Sequence, residues 1–358
     1  MYCTNTAIAC ELLVNRIWHR SIAKIKPVFR RGAPEVSTLR SSPVTKLPQE
    51  LVEIIISYFI YDTRSLLACS TTCHSWYIAA VPHLHHTLTT ENDDSRKRDK
   101  KHLWPKPLRR SYGLGLLPFV KQFRIRLGQR DEFTPRWLGK HTLPYFTALT
   151  NLQELGIDRL QVSKFMPNNL RFFGHLSPTL RFLALNEPTG SSRQILYFIG
   201  LFPNLQDLKL HYSDPEDEEE STADATLVPL SIPPLRGRLT LTCFTREKLV
   251  RDMIALFGGL RFSHMDVFRV GCVQLLLDAC AETLETLRLY PIDKYGEECF
   301  ERRVERAQVD KLLQLNTLIC HGTSPFGYLR LRRIRSLPRF PHLIFSGLYS
   351  PPSRIPHS

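Results

Sequence analysis

The chain has 358 residues, of which 43% are hydrophobic and 10% are aromatic. This composition excludes a wholly disordered chain and leaves room for one small and one large folded domain. The formal net charge is +14, but the basic excess is concentrated in residues 1–46, 96–140 and 324–358, and residues 214–224 are strongly acidic. Charge confined to such segments favours solubilising ends and connections over a nucleic-acid-binding domain.

Cysteine content and hydropathy bear on the compartment. The nine cysteines are an odd number without a C-x-x-C pair, and no N-x-S/T sequon occurs. No run reaches the ~20 apolar residues that a membrane span needs, and Tyr2–Leu13 lacks the positively charged start of a secretory signal. We therefore expect a soluble protein in a reducing compartment, cytoplasmic and/or nuclear.

Residues 1–45 carry scattered Pro, Ser and Arg without sustained periodicity, and we predict a disordered basic segment. Residues 12–31 are also weakly similar to a mitochondrial presequence, although a basic tail explains them equally well.

Residues 46–88 carry the signals of three short helices. Pro48 stands where the first helix begins, and Glu50 lies in its first turn, where the helix dipole favours anions. Helical spacing then places a set of apolar residues on one stripe: Leu47, Leu51, Ile54, Ile55 and Tyr58. Asp62 is positioned to cap the second helix.

A unit of about 40 residues buries little surface alone, so apolar side chains beyond what its core can use indicate a docking surface. In order, the stretch contains Leu47-Pro48, Glu50, an apolar helix from Leu51 to Tyr58, Ser65–Cys69 and Cys73-x-x-Trp76. At these residues it resembles the F-box. The same residues also fit an ordinary helical hairpin inside a larger core.

The F-box resemblance implies that residues 46–88 dock on a Skp-type adaptor. In the F-box pattern, the contacts come from the Leu-Pro at the first helix start and from apolar residues of the following helices. The candidate adaptor-binding residues are Leu47, Pro48, Leu51, Ile54, Ile55, Leu66, Leu67 and Trp76.

Cysteine and histidine residues cluster in the same stretch. The cluster consists of Cys69, Cys73, His74, His83, His85 and His86. Cys69 and Cys73 share a helical face, but cysteine is a common buried hydrophobe, and the F-box resemblance accounts for both. We expect no metal site and no cofactor.

Residues 89–115 contain charge blocks and prolines, which predict a charged linker. From about residue 116 an L-x-x-L-x-L template recurs. Its central apolar positions are Phe123, Leu155, Leu183, Leu208, Leu239, Met265, Leu287 and Leu318, separated by 22 to 32 residues. This spacing brackets the ~20–29-residue period of leucine-rich repeats.

Each copy of the template predicts a short strand with inward-pointing apolar residues, followed by a connection and a helix. The predicted helices occupy Arg193–Phe202, Glu247–Phe257, Cys272–Glu282 and Glu301–Leu315. Residues 116–323 therefore resemble an irregular leucine-rich-repeat region, which implies an α/β solenoid: a horseshoe with a concave strand face for a substrate. The alternative is an ordinary α/β domain whose strands are followed by helices.

Two segments do not fit the repeats. The acidic run 214–224 cannot bury itself and is predicted to be an exposed insertion. Residues 324–358, rich in Arg and Pro, are predicted to be a basic tail.

Sequence motifs for catalysis are lacking: the chain contains no G-x-x-x-x-G-K-[ST], G-x-G-x-x-G, G-x-S-x-G or H-E-x-x-H. Glu297, Glu298 and Glu301 are typical of a solvated loop and helix start, and the isolated acid–base candidates are His175, His264 and His321. None has a positioned partner in the sequence, so we expect a protein without catalytic residues.

An F-box-like module joined to repeats resembles the substrate-recognition subunit of a Skp–cullin–F-box (SCF) ubiquitin ligase. The resemblance implies a non-catalytic subunit that binds a Skp-type adaptor, and through it a cullin scaffold. The repeats would hold an unidentified protein for ubiquitination, with no membrane association.

Two alternatives stay open. One is a nucleic-acid-associated protein using residues 96–140, where Trp104, Tyr112, Phe119 and Phe123 lie among basic residues. Because Phe123 and its neighbours fit the first repeat strand, the sequence favours core positions over stacking platforms for these aromatics. The other is a scaffold that binds the adaptor but recruits no substrate.

Overall fold

The computed structural model describes residues 47–91, 111–126, 143–165, 171–212, 234–242, 247–268, 273–290, 312, 314–321 and 342–346. The chain divides into two compact units. The first unit comprises Met1–Arg124 and His141–Leu152, and the second comprises Ile125–Lys140 and Gln153–Ser358.

The first unit begins with the three predicted helices. They are α1 (Gln49–Ser57), α2 (Thr63–Ser70) and α3 (His74–Leu84). Strand β1 (Thr87–Glu91), a 3-10 helix at Leu117–Phe119, strand β2 (Gln122–Arg126) and helix α4 (Leu143–Thr147) follow. The division between the units falls within β2.

A small core holds the three helices together. Its buried members are Val52, Ile56, Leu66, Ala79 and Ala80, and its half-buried members are Leu47, Phe59, Cys69, Trp76 and Leu84. Each helix contributes at least one buried residue, so burial shared among the helices stabilises the module more than helix propensity does.

Strand β1 enters the range predicted as a linker. The main-chain N–H groups of Lys121 and Gln122 each donate to the His86 carbonyl oxygen at 2.8 Å. Thr87 Oγ1 also donates to Gln122 Oε1 at 3.0 Å. Thr89–Glu91 therefore belong to a strand, and residues 92–110 of the predicted linker lie outside the described residues.

The second unit contains a parallel sheet whose strands follow one another in chain order. The strands are β3 (Glu154–Asp158), β4 (Phe182–Asn186), β5 (Asp207–His211), β6 (Leu235–Thr242), β7 (Leu260–Phe268), β8 (Thr286–Tyr290), β9 (Thr317–His321) and β10 (His342–Ser346). Consecutive parallel neighbours require a crossover between each pair of strands, as the repeat template predicts.

The register of the sheet aligns the template positions. The central residues of β3 to β9 pair in one row: Leu155, Leu183, Leu208, Leu239, Met265, Leu287 and Leu318. All of them are buried, as is Phe123 in β2. Side chains alternate along a strand, so the residues two positions later in β3 to β8 form a second buried row. The predicted short strands are confirmed and pair in parallel, and the horseshoe curvature stays a prediction.

Helices fill three of the crossovers, close to the predicted ranges. They are α5 (Ser192–Gly200), α6 (Glu247–Leu256) and α7 (Val273–Ala279). Ser191 Oγ accepts from the Gln194 N–H at 3.2 Å, and Gln194 Oε1 accepts from the Ser191 N–H at 3.3 Å, which forms a capping box at the start of α5. Of the predicted helix Glu301–Leu315, the structure describes only residues 312, 314 and 315, which are not helical.

The ladder extends further than the sequence analysis predicts. Strand β10 lies within 324–358, the range predicted as a tail, and pairs in parallel with β9, Leu343 opposite Leu318. The overlooked signal is Phe340-x-x-Leu343-x-Phe345, a copy of the template with Phe in place of Leu. The predicted disordered segment 1–45 and the acidic run 214–224 lie outside the described residues.

Candidate functional site

Helix α1 is apolar on two faces, and only one of them is used by the core. Val52 and Ile56, four residues apart, are fully buried. Leu51 and Ile54 are 46% and 53% exposed. Large apolar side chains exposed together on one helix face are typical of a contact surface, so the outer face of α1 is the first candidate.

Pro48 occupies the N-cap position of α1 and is exposed. Its carbonyl oxygen accepts from the N–H groups of Leu51 and Val52 at 3.1 and 3.2 Å. Because this residue starts the helix without entering the core, its ring is available to a partner.

Helix α2 shows the same division at two adjacent residues. Leu66 is only 2% exposed and belongs to the core, whereas Leu67 is 52% exposed. Successive residues on a helix point about 100° apart, so one can face the core while the next faces solvent. Of the two predicted contact residues on α2, the structure leaves only Leu67 accessible, and burial removes Leu66 from the surface.

Asp62 fixes the start of α2, as predicted. Its Oδ1 accepts from the N–H groups of Arg64 and Ser65 at 3.0 and 3.3 Å, and Ser65 Oγ donates to Oδ2 at 2.6 Å. The hydrogen bonds from the Ser65 side chain and backbone lower the pKa of Asp62 below its ordinary value. The ionised carboxylate therefore holds the helix end that presents Leu67.

Three other predicted contact residues are half-buried. Leu47 and Trp76 pack against the core of the module, and Ile55 is also intermediate in exposure. Trp76 Nε1 is buried and, within the described residues, has no hydrogen-bond partner. Changing Leu47 or Trp76 would disturb the core together with any contact they make.

Two exposed tyrosines are outside the predicted contact residues, although Tyr58 belongs to the apolar stripe predicted for the first helix. Tyr58 continues the outer face of α1, one turn beyond Ile54, and is 79% exposed. Tyr61 lies in the turn before α2 and is 95% exposed, and no periodic pattern could have identified it there. We call Leu51, Ile54, Tyr58, Tyr61 and Leu67 the exposed apolar set.

The Cys/His cluster does not form a metal centre in the described residues, where no group of three or more His, Cys, Asp or Glu is placed to hold an ion. Burial raises the pKa of the Cys69 thiol. Burial also lowers the pKa of His83, with smaller effects from the positive charges of His86 and Lys121.

Opposite the buried rows, the sheet of the second unit presents charged and polar residues together with apolar ones such as Phe182 and Ile319. Asp266 lies between two arginines: its Oδ2 is 3.4 Å from Arg238 Nε, and its Oδ1 is 3.8 Å from Arg288 Nε. Burial raises the pKa of nearby Asp207, whereas the positive charge of Arg238 opposes that shift. This face therefore carries partly desolvated charge.

Aromatic residues flank those charges at the carboxyl ends of two strands. The rings of Phe268 and Tyr290 stack with centroids 4.1 Å apart and planes 3° from parallel. His211 Nδ1 lies 2.8 Å from Thr242 Oγ1 on the neighbouring strands. Charged, aromatic and hydrogen-bonding groups on one strand face suit recognition of a protein segment.

The isolated acid–base candidates do not assemble into a catalytic arrangement in the part of the chain that is described. His175 is exposed, and His264 Nδ1 lies 2.9 Å from Ser263 Oγ, a neighbour in sequence. The side chain of His321 and the residues Glu297, Glu298 and Glu301 lie outside the described residues.

The aromatics of the basic segment are mostly packed where they are described. Phe123 is buried and lies edge-to-face on Phe146 with centroids 5.9 Å apart. Tyr112 is partly exposed and contacts Tyr145 edge-to-face at 4.8 Å. Phe123 is therefore a core residue and not a base-stacking platform.

Among the described residues, no helix combines the length and apolar character that crossing a membrane requires. A search of curated proteins gives no match to the chain. The family model described as F-box-like matches residues 44–91, which covers α1, α2, α3 and β1. F-box domains are typically non-catalytic modules that bind Skp-type adaptors. Residues 44–91 are thus similar to the F-box-like family, which supports an F-box protein.

Proposed function

We propose that the protein is the substrate-recognition subunit of an SCF-type ubiquitin ligase. One observation carries the proposal: an F-box-like domain at residues 44–91 leaves large apolar side chains in solvent although its own core is filled. Exposed apolar residues of this size are typical of an interface that a partner covers.

The docking surface that we propose is the exposed apolar set with Pro48. Leu47 and Trp76 support it from the core side, the half-buried Ile55 lies beside it on α1, and the buried Leu66 is omitted. Aromatic residues are over-represented among the energetically dominant residues of interfaces, which favours the inclusion of Tyr58 and Tyr61.

The repeats would recruit the substrate. We infer that residues 116–346 form an irregular leucine-rich-repeat solenoid, supported by the chain-ordered parallel strands and the aligned register of their leucines. Since the buried rows are occupied by core residues, the opposite face of the sheet is the surface left for a substrate. Cytoplasmic and/or nuclear localisation is part of the same proposal.

The mechanism is proximity. The adaptor and cullin would place the bound substrate near a ubiquitin-charged enzyme, which raises the effective concentration of substrate lysines without a nucleophile from this chain. Binding geometry, and not acid–base chemistry, would then determine the rate.

Co-purification of the full chain with its partners tests the proposal. We expect a Skp-type adaptor and a cullin in stoichiometric amounts, together with a protein that becomes ubiquitinated when a ubiquitin-charged enzyme is added. Adaptor binding without ubiquitination of any co-purified protein would favour a scaffold. Salt-sensitive retention on a nucleic-acid column, with no adaptor bound, would favour the nucleic-acid-associated alternative.

A further inference from the structure

Strands β6 and β7 are longer than their neighbours and form additional residue pairs with each other at their amino-terminal ends. They contain 8 and 9 residues, whereas β5 and β8 contain 5 each. The added pairs are Leu235 with Leu260, Arg236 with Arg261, and Gly237 with Phe262. The register then shifts so that Arg238 pairs with His264, which leaves Ser263 as an extra residue in β7.

Gly237 makes this extension possible. Its φ is +85°, a backbone conformation that residues other than glycine rarely adopt. A Cβ at this position would also lie 2.0 Å from the Gln206 carbonyl oxygen. Bulges of this kind redirect side chains and are over-represented at sheet edges and functional sites. The extension is therefore a specific feature of the β6–β7 pair.

The extension places two arginines side by side. Arg236 and Arg261 occupy the same register position on adjacent strands, which lie about 4.8 Å apart in a sheet. Both are exposed, and within the described residues neither makes an ion pair. Like charges directly opposite each other weaken strand pairing, so this pair opposes folding unless an anion binds it.

The same sheet contains a second arginine pair that is already occupied. Arg238 and Arg288 flank the Asp266 carboxylate at 3.4 and 3.8 Å. Asp266 lies on β7, between the strands that carry these two arginines, so it shows that the sheet pairs arginine with a carboxylate across neighbouring strands. The Arg236–Arg261 pair has the same composition, lacks such a carboxylate among the described residues, and faces solvent.

We propose that Arg236 and Arg261 bind a carboxylate of an Asp/Glu-rich segment in the protein substrate. The proposal rests on the substrate-binding role given above to the repeats, and it specifies the class of substrate segment. Two adjacent guanidinium groups can make charge-assisted, forked hydrogen bonds to one carboxylate, which gives geometric selectivity as well as charge.

Fluorescence polarisation with the full chain tests this assignment. The probe is a fluorescein-labelled 12-residue peptide of alternating Glu and Gly, and its neutral match has Gln for Glu. The test variant is Arg236→Gln with Arg261→Gln. The matched control is Arg124→Gln with Arg126→Gln, which removes two exposed arginines from a single strand, β2, with the same change of charge.

We expect the Glu peptide to bind and the Gln peptide not to bind. The test variant should weaken binding of the Glu peptide at least tenfold, and the control less than twofold. An Arg→Lys pair at 236 and 261 should lose part of the affinity, because lysine keeps the charge but not the forked geometry. Equal losses in test and control variants would mean diffuse attraction and overturn the proposal.

Two further readouts make the result decisive. The melting temperature of the test variant should equal or exceed that of the unmodified protein, because two positive charges no longer face each other across the strands. A lower melting temperature would assign the arginines a structural role instead. The second readout is binding of single-stranded DNA. If DNA bound more tightly than the Glu peptide and depended equally on residues 236 and 261, the ligand of the arginine pair would be nucleic acid and the proposal would be wrong. Adaptor binding is measured separately, so its failure would count against the proposed ligase role and not against the arginine pair.

Discussion

The F-box-like module and the repeat sheet use apolar residues in opposite ways. In the sheet, every described template residue from Leu155 to Leu318 is buried, and the charged residues lie on the opposite strand face. In the module, Leu51, Ile54 and Leu67 remain about half exposed beside a filled core.

This contrast indicates two kinds of recognition. An exposed aliphatic surface gains its binding energy from burial against a partner of matching shape. A partly desolvated charged face contributes specificity and association rate. Under the proposed function, the module would bind a fixed partner and the sheet a segment of particular charge.

The largest expected difference in stability is between truncating a leucine of the sheet and truncating a leucine of the module. Leu183→Ala should lower the free energy of unfolding by about 2–5 kcal/mol, because Leu183 is fully buried in β4 and flanked in register by Leu155 and Leu208. Leu67→Ala should cost less than about 1 kcal/mol, since Leu67 is mostly in solvent already. Urea unfolding measures both, and similar losses would remove the contrast.

The next effect concerns a glycine in each unit. Gly237→Ala should destabilise the second unit by roughly 1–3 kcal/mol, because an alanine there meets both a positive φ and the Gln206 carbonyl oxygen. Gly113→Ala should be neutral or slightly stabilising, since nothing lies within 4 Å of its added Cβ. Melting of the two variants provides the comparison, and an unchanged Gly237→Ala protein would contradict the account of the β6–β7 bulge.

A smaller effect is expected at the cap of α5. Ser191→Ala removes the hydrogen bond to the Gln194 N–H and should lower stability by about 1 kcal/mol. Ser191→Asp, which restores an N-cap acceptor, is the control and should recover most of the loss in chemical denaturation. A variant as stable as the unmodified protein would show that packing alone fixes the helix start.

The smallest effect should appear in the module at low pH. Hydrogen bonds from Ser65 lower the pKa of Asp62 in the folded state below its ordinary value of 3.8. Ionised Asp62 therefore stabilises the fold above that value, and the contribution is lost as pH falls through the lower folded pKa. The difference in free energy of unfolding between the unmodified protein and the Asp62→Asn variant should become smaller as the pH falls from about 5 to about 3. A constant difference would contradict the capping role.

The repeat strands could be predicted because burial of one strand face requires an apolar residue at every second position, and this alternation is visible in the sequence. The template positions reproduce the buried rows of the sheet, including the fragment at Leu239. The bulge at Gly237 could not be predicted, because a one-residue register shift depends on how β6 meets β7 and leaves no periodic signal. Strand β10 was missed because Phe replaces Leu in its copy of the template.

The sequence could predict a set of candidate docking residues, but not which of them are exposed. Helical spacing shows that α1 and α2 are apolar, but it does not say which side faces the core when both sides are apolar. Leu66 and Leu67 illustrate the problem, since adjacent leucines of equal propensity end in the core and in solvent. Tyr61 lies outside any helix, so only coordinates reveal its exposure.

The most direct test of the central claim is calorimetric titration of the full chain with a purified Skp-type adaptor. We predict one-to-one binding that Leu51→Ala with Ile54→Ala weakens by at least ~2 kcal/mol, about thirtyfold. The matched control, Ile254→Ala with Leu256→Ala, removes the same side-chain types from α6 and should leave the affinity unchanged. Circular dichroism should show nearly unchanged helix content in both variants. Undiminished binding by the Leu51/Ile54 variant would remove the outer face of α1 from the interface, and no binding by the unmodified chain would contradict the account itself.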